Sequence, residues 1–140
     1  MRIEQLEFKG IMNFAGLEIK VYDFIDTFEN RVKGGDLTFV AGCIPHQRVL
    51  ILFPEFTDNR ISPESRKFAL LHEVGHMLFG ESEKSADDYA ISQTSRAAYE
   101  KCMQECSTVL AELRAKKIAI LGSDVRKNRD IYSHRGAGRY

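Results

Sequence analysis

Residues 70–80 have the sequence LLHEVGHMLFG, which is an HExxH pattern inside an apolar segment. On a helix, His72 and His76 lie one turn apart on the same face. One metal ion can then bind both imidazoles, while Glu73 lies beside the ion without being a ligand. A glutamate in that position can accept a proton from water. The pattern therefore predicts a helix that carries a metal site.

The residues around the motif decide between two interpretations. Two exposed histidines on a helix would show the same spacing without any function. The flanking residues are apolar, namely Phe68, Leu71, Leu78 and Phe79. The helix is therefore at least half buried, and a buried histidine without a partner is costly. A shared metal ion is the favoured interpretation.

The motif helix has a predicted start and a predicted end. Ser62 is a good N-cap and Pro63 suits the first helical position, while Gly80 is a natural stop. Gly75 weakens a helix by roughly 1 kcal/mol relative to alanine. Its presence predicts that another segment packs closely against the helix between the two histidines.

A third ligand is expected downstream, because a catalytic zinc usually keeps three protein ligands. After the break at Gly80, Ser82 can cap a second helix that begins with Glu83. Ala86 and Ala90 share a face with Glu83 and allow close approach to the motif helix. We expect Glu83 to bind the metal.

Asp87 lies one turn after Glu83, where it can hydrogen-bond the outer nitrogen of a ligand histidine, with His72 the favoured partner. Three alternatives stay open. Glu81 is a rival third ligand, and Asp87 could itself be the ligand. Both helix acids could also form a solvated face, since acids are common at helix starts.

Composition predicts one soluble globular domain. The chain has 140 residues, of which 44% are hydrophobic and 29% charged, and its formal net charge is zero. We therefore expect no direct contact with nucleic acid and no membrane association. The start, MRIEQLE, carries acids where a signal peptide has its apolar core, so we expect a cytoplasmic protein. The oligomeric state is left open.

The periodicity predicts an α+β fold, with a small antiparallel-type sheet packed on the motif helix and a helical C-terminal region after it. Residues 3–14 fit neither a clean helix nor a clean strand. The remaining elements are strands at 17–22, 37–41 and 48–53, a loop at 27–36, and a helix at 92–119 that ends at 121–123. On that last helix, Cys102 and Cys106 share a face. They could bind a soft metal, but buried small hydrophobes are the commoner role.

We expect one domain over residues 1–122 and a basic, flexible tail over residues 123–140. Contact of the tail with nucleic acid or with an acidic partner is the less favoured alternative.

Residues 68–80, FALLHEVGHMLFG, resemble the segment rrFtlaHElGHlllg of the ImmA/IrrE metallopeptidases. Residues 83–90, EKSADDYA, are similar to the segment E-x-x-A-[ND]-x-[FY]-A that follows it in that family. The resemblance covers roughly residues 37–91 and extends to the wider thermolysin-like, or gluzincin, arrangement of HExxH followed by ExxxD. Residues 91–94, ISQT, depart from the family's usual LLMP, and no helix-turn-helix is evident.

The resemblance implies one Zn²⁺ per chain, bound by His72, His76 and Glu83, with Glu73 as general base. It implies a zinc-dependent endopeptidase that hydrolyses a peptide bond in a regulatory protein, in several family members a helix-turn-helix repressor. The alternative is a zinc-binding protein with weak or no catalysis that docks a partner protein. A purely structural zinc is less favoured, since such sites are normally closed by four Cys or His ligands.

Peptide hydrolysis also needs a hydrogen-bond donor for the tetrahedral oxyanion. Tyr89, Tyr99 and His134 are candidates that the sequence cannot rank. The strand that starts at Arg48 would pair with an extended substrate if it were the sheet edge beside the cleft. Arg48 would then help to place that substrate, although an ordinary surface charge at a strand start is the favoured interpretation.

Overall fold

Four strands form one sheet in the computed structural model, which describes residues 3–34 and 37–124. The strands are β1 (Leu6–Phe14), β2 (Leu17–Phe24), β3 (Ala41–Ile44) and β4 (Val49–Leu52). The helices are α1 (Phe28–Gly34), α2 (Pro63–Phe79), α3 (Glu83–Gln93) and α4 (Arg96–Asp124). Short 3₁₀ turns span Ile3–Gln5, Pro45–Gln47 and Pro54–Thr57. The predicted α+β class is confirmed.

The sheet has the strand order β1-β2-β4-β3. The β1–β2 and β3–β4 pairs are antiparallel, but β2 and β4 are parallel. The sheet is therefore mixed where the sequence predicts an antiparallel one. The reason lies in β4, whose Val49, Leu50 and Ile51 are all buried. A strand that is apolar on both faces is best placed in the centre of a sheet, where both faces are covered.

Two predicted boundaries in the first half are wrong. The segment over residues 27–36 contains α1, and its N-cap is Thr27, whose hydroxyl accepts a hydrogen bond from the main-chain N–H of Asn30. The strand predicted at 37–41 is displaced to β3. Ala41 pairs with Leu52, the last residue of β4. The N–H of Phe53 still donates to the carbonyl of Val40, and Pro54, which has no N–H to donate, then begins a 3₁₀ turn.

The helix predicted over residues 92–119 begins later and ends later than expected. Ser95 interrupts it, because its hydroxyl accepts a hydrogen bond from the main-chain N–H of Ala98 at 3.0 Å and so caps the start of α4. The helix then continues to Asp124, past the predicted end at 121–123.

Residues 125–140 lie outside the described part of the chain, and with them most of the predicted tail over 123–140. Over the described ranges, 3–34 and 37–124, no helix combines the length and the apolar character that a membrane crossing requires.

The motif helix α2 lies between the sheet and the two helices that follow it. Its Val74 packs with Ile19 and Leu50 of the sheet. Its other apolar side chains join the main core with α3 and α4, which includes Phe68, Ala69, Leu71, Ala90, Ala98, Cys102 and Cys106. Both cysteines on α4 are thus buried core residues, as predicted.

The close approach predicted at Gly75 is confirmed. A Cβ atom built on Gly75 would lie 2.9 Å from the Cα atom of Ala86 on α3. Real Cβ contacts are longer than this, so only glycine allows the two helices to cross at this point. The crossing brings the first turn of α3 beside the two histidines.

Candidate metal centre

Helix α2 starts and ends at the predicted residues, with Ser62 as its N-cap and Gly80 as its stop. At the start, the Ser62 hydroxyl accepts a hydrogen bond from the main-chain N–H of Ser65 at 3.2 Å. At the end, Gly80 takes a positive φ of 96° and its N–H donates to the carbonyl of His76. A positive φ strains any residue with a side chain, so glycine is suited to this stop.

A carboxylate from α4 adds a long-range cap that the sequence does not reveal. Glu105 accepts hydrogen bonds from the N–H and the hydroxyl of Ser62, both at 2.9 Å, and from the hydroxyl of Ser65 at 2.6 Å. These hydrogen bonds tie the positive first turn of α2 to a negative charge on α4. The helix that bears the histidines is therefore anchored to a second helix.

The imidazoles of His72 and His76 are buried and face the same point. Each residue is 7% exposed, and their Nε2 atoms lie 3.2 Å apart. Two nitrogens bound tetrahedrally to one zinc at 2.0–2.1 Å would lie about 3.3 Å apart. The spacing of the two nitrogens fits a shared metal ion.

The outer nitrogens of both rings have acceptor partners. His72 Nδ1 lies 2.8 Å from Asp87 Oδ1, and His76 Nδ1 lies 2.9 Å from the carbonyl oxygen of Gly80. Carboxylate and carbonyl oxygens only accept, so each Nδ1 carries the proton and donates it. A ring in its neutral form, which metal binding requires, then offers a free lone pair at Nε2. Asp87 is placed beside His72 as expected, whereas the carbonyl of Gly80 was not anticipated.

Glu83 closes this arrangement from α3. Ser82 caps the helix by accepting from the N–H of Ser85, and Glu83 is its first residue. Glu83 Oε1 lies 3.2 Å from His72 Nε2, and Glu83 Oε2 lies 2.8 Å from His76 Nε2. Two imidazole nitrogens and a carboxylate therefore converge on one point. Such a set could hold a metal ion.

Glu73 lies in the same cluster but stands further from the ring nitrogens. The ligand atoms of His72, Glu73 and His76 all lie within 4.8 Å of one another, so this buried group could hold a metal ion. Glu73 Oε2 is 3.9 Å from His72 Nε2, a longer distance than either contact of Glu83. The side chain of Glu83 is 73% exposed whereas Glu73 is buried, yet distance favours Glu83 as the third ligand.

The rival ligands are less well placed. The carboxylate of Asp87 contacts the outer nitrogen of His72, on the side opposite the shared point. Glu81 lines the cleft beside the cluster, and its exposed side chain makes no ion pair with the residues that the structure describes. Neither Asp87 nor Glu81 shows the two contacts to histidine Nε2 atoms that Glu83 makes.

Burial dominates the electrostatics of Glu73. It raises the pKa of Glu73 to about 7, although the charge of His76 and a hydrogen bond from the Cys43 thiol act in the opposite direction. Burial and the neighbouring Glu73 carboxylate in turn raise the pKa of Cys43, so this thiol stays protonated and donates. A divalent cation beside Glu73 would favour its ionised form.

A cleft of about 480 Å³ opens at the cluster, between the sheet and α3. Its lining includes Thr38, Phe39, Ala41, Gly42, Cys43 and Met103. The ring of Phe39 meets that of His72 edge-on, with the centroids 5.5 Å apart. Sequence reasoning missed these residues, because only long-range pairing brings β3 to the motif helix.

The predicted substrate strand is wrong. β4 pairs with β2 on one side and with β3 on the other, so the strand that follows Arg48 is not a sheet edge. Arg48 itself is exposed, with a left-handed φ of 55°, at the turn before β4. The edge strand beside the cleft is β3.

The two tyrosines predicted as oxyanion donors do not line the cleft. Tyr89 packs against Phe79, and Tyr99 packs between Phe68 and Arg96. Neither tyrosine is among the residues that line the cleft. His134 lies outside the described residues.

Comparison of the chain with protein-family models, with curated proteins and with solved structures finds no match. The likeness to the ImmA/IrrE metallopeptidases rests on the motif residues alone.

Proposed function

We propose that this chain is a zinc-dependent endopeptidase that hydrolyses a peptide bond in a regulatory protein. The observation that carries the proposal is the convergence of His72, His76 and Glu83 on one point beside the buried carboxylate of Glu73. Two imidazoles and one carboxylate are a ligand set typical of catalytic zinc, which keeps its fourth position open. A repressor-like substrate is what the resemblance to ImmA/IrrE implies.

When bound by these ligands, zinc supplies a Lewis acid that polarises the scissile carbonyl and makes water acidic at about pH 7. Glu73 accepts the proton of the attacking water and transfers it to the leaving amine. The thiol of Cys43 donates a hydrogen bond to Glu73 and so orients this carboxylate. Asp87 and the carbonyl of Gly80 hold the two imidazoles in the required tautomer.

The cleft also suits an extended peptide. β3 pairs with β4 on one side, and along its other side the residues that the structure describes provide no partner strand. A substrate segment can add to this edge through main-chain hydrogen bonds. Its scissile bond would then lie near Glu73, since Ala41, Gly42 and Cys43 line the same cleft as the cluster.

The experiment that tests the proposal compares the zinc-loaded chain with its Glu73→Gln variant. Both are incubated with a pool of peptides made from a whole proteome, and newly formed N-termini are identified by mass spectrometry. We expect new termini with the wild type and a loss of at least about 10³-fold in the variant, since the general base is removed while the ligands stay. Glu100→Gln, at an exposed glutamate on α4, is the matched control.

Two results would contradict the endopeptidase proposal. One is cleavage that survives Glu73→Gln. The other is a zinc-loaded wild type that produces no more termini than the variant, which would favour the alternative of a zinc-binding protein that docks a partner.

A further inference from the structure

The edge of the sheet far from the metal centre is formed by β1. Its hairpin with β2 turns through Ala15 and Gly16, both with positive φ, so Phe14 and Leu17 are the pair next to a two-residue loop. In such hairpins this pair exchanges hydrogen bonds, and the pattern then alternates along the strand. The main-chain groups of Ile11 and Asn13 therefore point away from β2. No other strand pairs with them among the residues that the structure describes.

An apolar groove lies directly behind this edge. Met12 and Phe14 form one wall, on the side of β1 that faces α2. Leu70 and Val74 of α2 form the other wall, with Phe56 at one end, and the enclosed volume is about 410 Å³. Phe14 is 40% exposed, so the groove is open to solvent.

The rim of the groove is positively charged. Two cations contribute to the lining, Arg66 and Lys67. Arg66 donates to the carbonyl oxygens of Phe56 and Asp58, both at 2.9 Å. Lys67 is exposed and forms no ion pair within the described ranges, 3–34 and 37–124. A carboxylate on a ligand in the groove would therefore meet an uncompensated charge.

We propose that this edge and groove bind an extended segment of a partner protein. The segment adds to β1 through hydrogen bonds with Ile11 and Asn13, and alternate apolar side chains enter the groove. An acidic side chain of the segment pairs with Lys67. An extended strand fits because the outward main-chain groups of β1 stand beside the apolar groove that β1 forms with α2, and Lys67 lines the same groove.

This docking site is separate from the proposed hydrolytic site. Lys67, Leu70 and Val74 lie on the side of α2 that faces the groove, whereas His72 and His76 face the cleft. The proposal therefore does not depend on catalysis, and it can fail or succeed independently of the endopeptidase proposal.

The test uses nine-residue acetylated peptides that alternate threonine with valine or leucine and carry one glutamate at either end. A matched set carries lysine in place of glutamate. Titration is followed by the amide signals of the ¹⁵N-labelled full chain. We expect shifts at Ile11–Phe14 and along the groove side of α2, and about fivefold tighter binding of the glutamate set, the size of one exposed ion pair.

Two variants separate the parts of the proposal. Lys67→Glu should reverse the preference between the two peptide sets, whereas Lys20→Glu, on the opposite face of the sheet, should not. Asn13→Pro removes one outward N–H without removing a β1–β2 hydrogen bond, and it should weaken both sets. The dispersion of the amide spectrum checks that each variant stays folded.

Three results would overturn the proposal. One is the absence of any shift at β1 at millimolar peptide. Another is binding of both sets that is indifferent to Lys67→Glu and Asn13→Pro. The third is a dimer that Asn13→Pro dissociates while no peptide binds, since that would assign the edge to a second copy of the chain.

Discussion

At the scale of single residues, each candidate ligand imidazole is held at the nitrogen that faces away from the shared point. His72 donates to a carboxylate and His76 to a main-chain carbonyl. A carboxylate partner raises the basicity of an imidazole more than a neutral carbonyl does, so His72 should be the stronger ligand. No additional side chain is needed to hold His76, because Gly80, the residue that ends α2, supplies the carbonyl.

Substitution of a candidate ligand should lower the zinc affinity, by an amount that depends on how much that side chain contributes to binding. We expect His76→Ala to abolish zinc binding and Glu83→Gln to weaken it by about 10–100-fold, since a neutral amide is a poorer ligand than a carboxylate. Elemental analysis of protein purified without chelators, together with competition by a zinc indicator, measures both effects. Glu81→Gln is the control within the same cleft, and an equal loss in this variant would mean that the third ligand is misassigned.

At the scale of elements, the site depends on how closely α2 and α3 approach each other. Their contact is set by Gly75 against Ala86, and the buried Ala86 and Ala90 keep the facing side of α3 small. Glu83 belongs to the first turn of α3, so any displacement of this helix moves the third ligand. Packing and metal binding are thus coupled through one helix crossing.

Gly75→Ala should destabilise the fold although alanine is the better helix former. The added Cβ would meet backbone atoms of Ala86 at 2.9–3.0 Å, so α3 has to shift. We expect a net loss of about 1–3 kcal/mol in urea unfolding, together with weaker zinc binding. Gly34→Ala is the control, because its added Cβ meets only a ring carbon of Phe24 at 3.9 Å. A variant as stable as the wild type would show that the crossing tolerates a side chain.

The cap formed by Glu105 predicts a pH dependence of stability. Hydrogen bonds from Ser65 and Ser62 lower the pKa of Glu105 below its ordinary value of 4.5. A lowered folded-state pKa contributes stability above the unfolded-state value, and this contribution is lost as the pH falls through the folded-state value. We expect Glu105→Gln to lose about 1 kcal/mol at neutral pH, and the difference from wild type to shrink below pH 4.5.

Urea denaturation of both proteins at a series of pH values measures this difference. Glu100→Gln on the same helix is the control, since its side chain is exposed. A gap between Glu105→Gln and wild type that stays constant with pH would mean that the charge of Glu105 does not stabilise the start of α2.

At the scale of the whole molecule, the candidate ligands lie on both α2 and α3, and the sheet and α4 pack against α2. A ligand that binds the folded chain only raises its stability, by about 2.7 kcal/mol at a concentration 100-fold above its Kd. We expect saturating zinc to raise the Tm by roughly 5–10 °C relative to chelator-treated protein. His76→Ala should show no such difference, and equal Tm values for wild type with zinc and with chelator would contradict metal binding.

Much of the metal centre could be predicted from the sequence, since its geometry is local. The period of a helix places His76 one turn after His72, the cap at Ser62 and the stop at Gly80 bound the helix, and the next helix starts only a few residues later. This short connection limits the positions that Glu83 and Asp87 can take relative to the histidines. Their placement beside the histidines follows from short-range hydrogen bonding and helical spacing.

Other features depend on residues that are far apart in the chain, and they become evident only in the folded structure. The tertiary structure placed β4 between β2 and β3, brought Cys43 and Phe39 to the cleft, and set Glu105 on the start of α2. None of these has a local pattern, because strand order follows from which apolar faces can be covered together. Local sequence patterns thus account for the motif helix and its candidate ligands, whereas long-range packing sets the walls of the cleft and the edges of the sheet.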